Sequence, residues 1–226
     1  MICANFAIVP NVLFGFIINS NQKITMITAK NMFAAMVSAI SISITAHAAE
    51  VGKAAPDFSA KDAKGAEVSL AALKGKVVVL EWVNHGCPFV VKHYGSNNMQ
   101  KLQETYTGKG VVWITINSGS KASGSYTDDE KFLKISAEKG SKSSHLIADE
   151  SGTIGKAYSA KTTPHMFVIN KEGVLVYNGA IDSKKTTKAE DIEGAENYVA
   201  KALDAVLEGK AVATPMTEPY GCGVKY

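Results

Sequence analysis

An apolar, β-branched run at residues 77–80 leads into Asn84-His85-Gly86-Cys87-Pro88, where a turn is followed at once by a helix that opens on proline. This strand-to-helix turn constrains the fold more than any other stretch. The ring of Pro88 fixes a helical φ, and proline lacks the N–H that a first-turn position leaves unpaired, so Cys87 is the natural N-cap. The free donors and positive dipole end there favour thiolate over thiol. His85, Lys92 and His93 lie within a few residues and are candidates to add positive charge. The competing reading makes Cys87 a small buried hydrophobe.

Around that turn the pattern predicts alternating elements. Residues 56–65 read as an extended lead-in and a turn, residues 68–73 as a short element, and residues 77–83 as a strand. One helix runs from Cys87 through Met99 and Leu102 towards Tyr106, and Gly108 and Gly110 stop it before a strand at 111–116. The Gly/Ser-rich stretch 117–125 has no apolar periodicity and predicts a mobile surface loop. Thr127-Asp128-Asp129-Glu130 supplies a capping box for a helix ending near Gly140, with Phe132, Leu133, Ile135 and Ala137 facing the core. Residues 145–148 predict a strand and 152–158 a short helix. Residues 166–170 and 174–178 flank Lys171-Glu172-Gly173 as a hairpin. Residues 182–190 read as exposed, 192–208 as a long helix stopped by Gly209, and the Pro/Gly-rich residues 211–226 as an irregular tail. The order implies an α/β chain with a central mixed sheet and helices on both faces. Parallel crossovers bring strand C-termini to one edge, where Cys87 emerges.

The 226 residues, 46% hydrophobic and 20% charged, suit one domain plus a targeting segment. A net charge of +3 with scattered lysines gives no basic stripe, so nucleic acid is not an expected partner. At the N-terminus, Lys30, an apolar stretch at 32–45 and Ala46-His47-Ala48 read as an export signal over residues 1–48, with synthesis starting at Met26 and the mature chain near Ala49. An uncleaved anchor is the alternative, and only then does the protein contact membrane. The expected organisation is a domain at 49–210 and a tail at 211–226. Cys3 is lost with the signal, leaving Cys87 and Cys222, and two thiols in an exported protein can pair.

Three matches give the chain a resemblance to the thioredoxin-like redoxins, in particular the peroxiredoxin-like group related to alkyl hydroperoxide reductase, over roughly residues 51–208. The segment from Glu81 to Val90 places Cys87 where the family has the first cysteine of Cys-x-x-Cys. Thr163-Pro164-His165-Met166 resembles the cis-proline loop, and Glu81 stands where such proteins often bury an acid. The resemblance implies a thioredoxin-like fold and thiol chemistry needing no cofactor. In it Cys87 is the nucleophile, Glu81 is a desolvated acid passing protons, and Thr163 and Pro164 shape the substrate edge. His165 reads as a packed strand residue rather than a ligand.

Two departures bear on mechanism. Position 90 is Val90, so the motif's own resolving thiol is missing; the chain also contains no arginine, and position 84 is Asn84 where peroxiredoxins usually carry Thr or Ser. Lysine lacks the planar fork of the arginine that polarises peroxide. Cys222, in Tyr220-Gly221-Cys222-Gly223, is the substitute resolving thiol, its glycines giving a flexible tail that can approach closely. The expected function is therefore an exported thiol–disulfide oxidoreductase acting on protein or small-molecule thiols and disulfides. The alternatives are a thiol peroxidase passing through a sulfenic acid at Cys87 and a module in which Cys87, Cys222 and a histidine hold copper.

Overall fold

The computed structural model describes residues 48–226. The predicted export signal, with Met26, Cys3 and all but the last residue of its cleavage pattern, lies outside them. Among the described residues no helix is long and apolar enough to cross a membrane.

A five-stranded mixed sheet forms the centre. Its strands are β3 (Val78–Trp82), β4 (Val112–Asn117), β5 (His145–Ala148), β7 (His165–Ile169) and β8 (Leu175–Gly179), in the order β5-β4-β3-β7-β8. β3 runs parallel to β4 and antiparallel to β7, with Trp82 opposite Ile116 on one side and His165 on the other. All five residues of this central strand are buried, which is why residues 78–80 read as a continuous apolar run rather than an alternating one, with Glu81 the one acid within the strand. Period-2 alternation still sorts its side chains. Val78, Leu80 and Trp82 pack with Tyr158 and Phe167 on one face, and Val79 and Val83 join Cys87, Tyr94, Val199 and Leu203 on the other. The first face is covered by the hairpin β1 (Ser59–Lys61) and β2 (Glu67–Ser69) and by α4 (Thr153–Ala157); the second by α1 (Pro88–Gly95), α2 (Asn98–Thr107) and α5 (Tyr198–Leu207). α3 (Asp129–Glu138) adds Phe132 to that second core. The fold is thioredoxin-like, with helices on both faces as the pattern implies.

Several local expectations are corrected. The helix opened by Cys87 is two helices, because Gly95, Ser96 and Asn97 are weak helix formers; the Ser96 hydroxyl bonds the carbonyls of Lys92 and His93, and Asn97 is left-handed at φ 62°. Asp128 rather than Thr127 caps α3, accepting from the Lys131 N–H, and Ala137 is exposed while Ser136 is buried. Residues 117–125 do not form a free loop throughout. Asn117 ends β4, and buried Ser118 accepts from Trp82 Nε1 at 3.0 Å and donates to Asp149 at 2.6 Å. The last long helix starts at Tyr198, capped by the Asn197 side chain, after a separate 3-10 turn at Ala189–Ile192. Asp182, expected to be exposed, is 2% exposed. The tail is irregular over residues 211–221 as expected but ends in ordered pairing: β9 (Cys222–Gly223) pairs antiparallel with β6 (Thr162–Thr163), and Gly119 bridges to Lys225.

Candidate active site

The turn before α1 is built by Asn84. Its carbonyl accepts from the Cys87 N–H at 2.8 Å, and its side-chain oxygen accepts from the Gly86 N–H at 2.9 Å. That Asx-type turn leaves Cys87 extended at φ −76°, ψ 125° as the N-cap, with Pro88 in the first turn. Cys87 is 2% exposed, and as a thiol it donates to the Thr163 carbonyl at 3.1 Å. Thr163 precedes Pro164, and the peptide bond between them is cis. In the β6–β9 ladder Thr163 lies opposite Cys222, so the strand carrying the second thiol pairs with the residue whose carbonyl the first thiol touches. Both thiols are free.

The two sulfurs titrate apart. Burial pushes the Cys87 thiol up, but hydrogen bonds from the Cys222 thiol, the Val90 N–H, Thr163 and the Cys222 backbone outweigh it, and the net direction is down. The Val90 donor is one of the free N–H groups of the helix N-terminus that the sequence points to. Cys222 is pushed up to about 11 by burial first, then by its bond to Cys87 and the charge there.

The three cations proposed for Cys87 point elsewhere. Lys92, fully buried, donates to the Lys184 carbonyl at 2.8 Å and sits 3.6 Å from Asp182 Oδ2. His93 accepts from Asn98 at Nδ1, so its Nε2 carries the proton that faces Tyr220 Oη at 3.2 Å; Tyr220 in turn donates to Asp182 Oδ1. His85 faces Ser136 at 3.4 Å. Burial, with Lys139 for His85 and Lys92 for His93, lowers both imidazoles to about 4, so they are neutral at pH 7. Thiolate character at Cys87 therefore comes from aligned donors, not from a neighbouring cation. His165 also spends both ring nitrogens, on the Lys161 N–H and Asn178.

Glu81 shares the Cys87 face of β3 and is fully buried. Tyr94 donates to Oε1 at 3.0 Å, while Gln103, Trp113 and Thr115 donate to Oε2 at 3.0, 2.8 and 3.0 Å. Desolvation raises its pKa despite these four donors. From Thr115 a hydroxyl chain continues through Ser143 at 2.6 Å to Ser141 at 2.9 Å, both partly exposed.

Cys87, Cys222, Thr163 and Pro164 thus meet at one point, while Glu81 is held on the same face by its own partners. Sequence reasoning missed Asp182, Tyr220 and the donors around Glu81. Trp113 and Thr115 carry a period-2 signal on β4; Asp182 offers only the apolar Ala180-Ile181 before it.

A family model described as Redoxin matches residues 50–198. The chain belongs to the redoxin family. This redoxin is 27% identical over 145 residues to the thioredoxin-like protein YneN of Bacillus subtilis (strain 168), covering 63% of this chain and 79% of that one. It is also 27% identical over 127 residues to the thiol-disulfide oxidoreductase ResA of Bacillus thuringiensis subsp. konkukian, covering 56% and 68%. The crystal structure of a conserved protein from Geobacillus kaustophilus superposes with a TM-score of 0.67 at 27% identity, over 78% of the redoxin and 92% of that chain. The family and these relatives place the redoxin among enzymes of the thiol–disulfide oxidoreductase type.

Proposed function

We propose that the protein is an exported thiol–disulfide oxidoreductase in which Cys87 is the nucleophile and Cys222 the resolving thiol. The observation that carries this reading is the pairing of Thr163 with Cys222 beside a Cys87 sulfur 3.1 Å from the Thr163 carbonyl. The Cys87 thiolate attacks one sulfur of a substrate disulfide, forming a mixed disulfide and releasing the other sulfur as a thiolate that takes up a proton. At that moment Cys87 loses its charge. Of the causes that hold Cys222 up, the Cys87 bond and charge vanish and only burial remains, opposed by Lys225. Cys222 then ionises more readily and attacks the Cys87 sulfur. The second substrate thiol leaves, a Cys87–Cys222 bond remains, and two electrons have passed to the substrate. An external dithiol returns the enzyme to its reduced form.

Thr163 and Pro164 shape the edge against which the substrate sulfur lies. Glu81 takes the part of the buried proton store, supported by its raised pKa, and the Thr115–Ser143–Ser141 hydroxyls supply its route to the surface. Export rests on the N-terminal pattern. The peroxidase alternative uses the same Cys87, on which the main groups acting among the described residues are the neutral Cys222, Val90 and Thr163. Among the described residues, no group of three or more His, Cys, Asp or Glu side chains is arranged to hold a metal ion.

Peptide mass mapping of the oxidised protein tests the proposal. A Cys87–Cys222 cross-link is expected, and Cys222→Ser should accumulate a mixed disulfide on Cys87 with oxidised glutathione. Oxidised protein in which both thiols remain separately alkylatable sinks the resolving role. Rapid peroxide consumption with dimedone trapped on Cys87 turns the assignment to a peroxidase.

A further inference from the structure

The strand that delivers Cys222 also fills an edge. β6 and β9 form a two-stranded sheet apart from the central one, and β6 lies next to the attacking sulfur. An open strand edge is a row of unpaired N–H and C=O groups, ready to receive any extended chain. Here the occupant is the protein's own chain at residues 222–226, held at several points. Val224 N–H donates to the Lys161 carbonyl at 3.0 Å, Ser120 N–H to the Lys225 carbonyl at 3.0 Å, and Tyr226 Oη to the Ala160 carbonyl at 2.7 Å. Gly221, at φ 145°, runs so close to Thr163 that a Cβ there would collide with the Thr163 carbonyl. The register makes the tail instructive about substrate: the residue opposite Thr163 is the one whose side chain meets Cys87, and the chain puts a cysteine in that place.

We propose that residues 221–224 occupy the position an extended disulfide-bearing polypeptide would take, so that the docked strand restricts Cys87 to small disulfides. A polypeptide disulfide gains the site only by displacing the strand. The inference rests on Cys87 being the nucleophile. A small disulfide needs only the sulfur, which it approaches past exposed Gly86 and Pro88 and partly exposed Cys222; a polypeptide needs the backbone edge as well.

The test uses three reduced proteins that all lack the resolving thiol: Cys222→Ser, which keeps the strand; the chain ended after Tyr220, which removes it; and the full-length double variant Cys222→Ser/Gly221→Val, which unseats it by collision. Each reacts with oxidised glutathione and with an unstructured peptide carrying one cysteine as its nitrothiobenzoate disulfide, the released chromophore reporting attack by Cys87. On the peptide, the truncated and double variants should be at least about tenfold faster than Cys222→Ser, the factor expected for freeing an edge held by a few backbone hydrogen bonds. On oxidised glutathione the truncated and double variants should gain nothing, since glutathione displaces no strand and loss of the strand weakens the donors that residue 222 gives Cys87. Each peptide rate is therefore read relative to the glutathione rate of the same protein. Equal ratios of peptide rate to glutathione rate in the three proteins overturn the occupied edge and leave the nucleophile standing. If none forms a glutathione adduct on Cys87, the thiol–disulfide reading itself falls.

Discussion

Two buried acids, Glu81 and Asp182, lie on either side of helix α1 and are handled in opposite ways. Glu81 sits mid-strand and faces only neutral donors, from α1, α2 and β4. With no cation, desolvation dominates and its pKa rises. Asp182 lies beyond β8 and is met from two distant segments: α1, with Lys92 at 3.6 Å and His93 at 3.9 Å, and the tail, with Tyr220 donating to Oδ1. The contrast runs through consecutive residues of one helix. Tyr94 serves Glu81, while Lys92 and His93 serve Asp182. Glu81 ties the sheet to its helices. Asp182 clasps the tail two residues before Cys222, and so sets where the second thiol rests.

If Asp182 is the charged clasp, removing its cation has the larger cost. Lys92→Met leaves a carboxylate buried without a counter-ion, and urea denaturation should show a loss of about 3–5 kcal/mol; unchanged stability would mean that the ion pair holds nothing. Tyr220→Phe deletes one hydrogen bond to that carboxylate and should cost less, about 1.5–3 kcal/mol. It should also slow closure of the Cys87–Cys222 bond while leaving the first attack by Cys87 on a small disulfide unchanged, a split visible in stopped-flow thiol release. Equal slowing of both steps would show that Tyr220 acts on the whole domain rather than on the tail.

The same contrast explains what could be read from sequence. Strand 77–83, the Cys87 cap, the hairpin at 165–179 and the stop at Gly209 are written in local chemistry: apolar runs, proline at a helix start, glycine at turns. Glu81 was legible as a buried acid because apolar neighbours flank it on one strand. Asp182 was not, because its burial depends on Lys92 and Tyr220, 90 and 38 residues away. Nor was the tail: β9 is two residues long and is held by backbone groups and close glycine contacts, which leave no hydrophobic period. Cys222 was placed by its chemistry, but its route was misread, since close approach comes from a seated strand rather than a flexible one. The break at Asn97 escaped because its neighbours on either side carry helical apolar spacing.

The smallest effect belongs to Glu81 and is a slope with pH. Its folded pKa lies above the ordinary 4.5 because burial disfavours the carboxylate more than Trp113, Tyr94, Thr115 and Gln103 favour it. The folded chain therefore binds this proton more tightly than the unfolded chain does, and stability present below pH 4.5 is lost as pH rises through the folded value. Glu81→Gln cannot titrate. It also presents an amide donor to a cage of donors, a mismatch costing about 1–3 kcal/mol at any pH. Wild type should thus lead the variant by most near pH 4.5, and the lead should shrink towards pH 7, because the unfolded wild-type chain gives up the Glu81 proton that the folded chain holds. Thermal denaturation of both proteins across that interval measures the narrowing. A constant gap would show that folding does not raise the Glu81 pKa, which removes it as a proton store and leaves it as the bolt between sheet and helices.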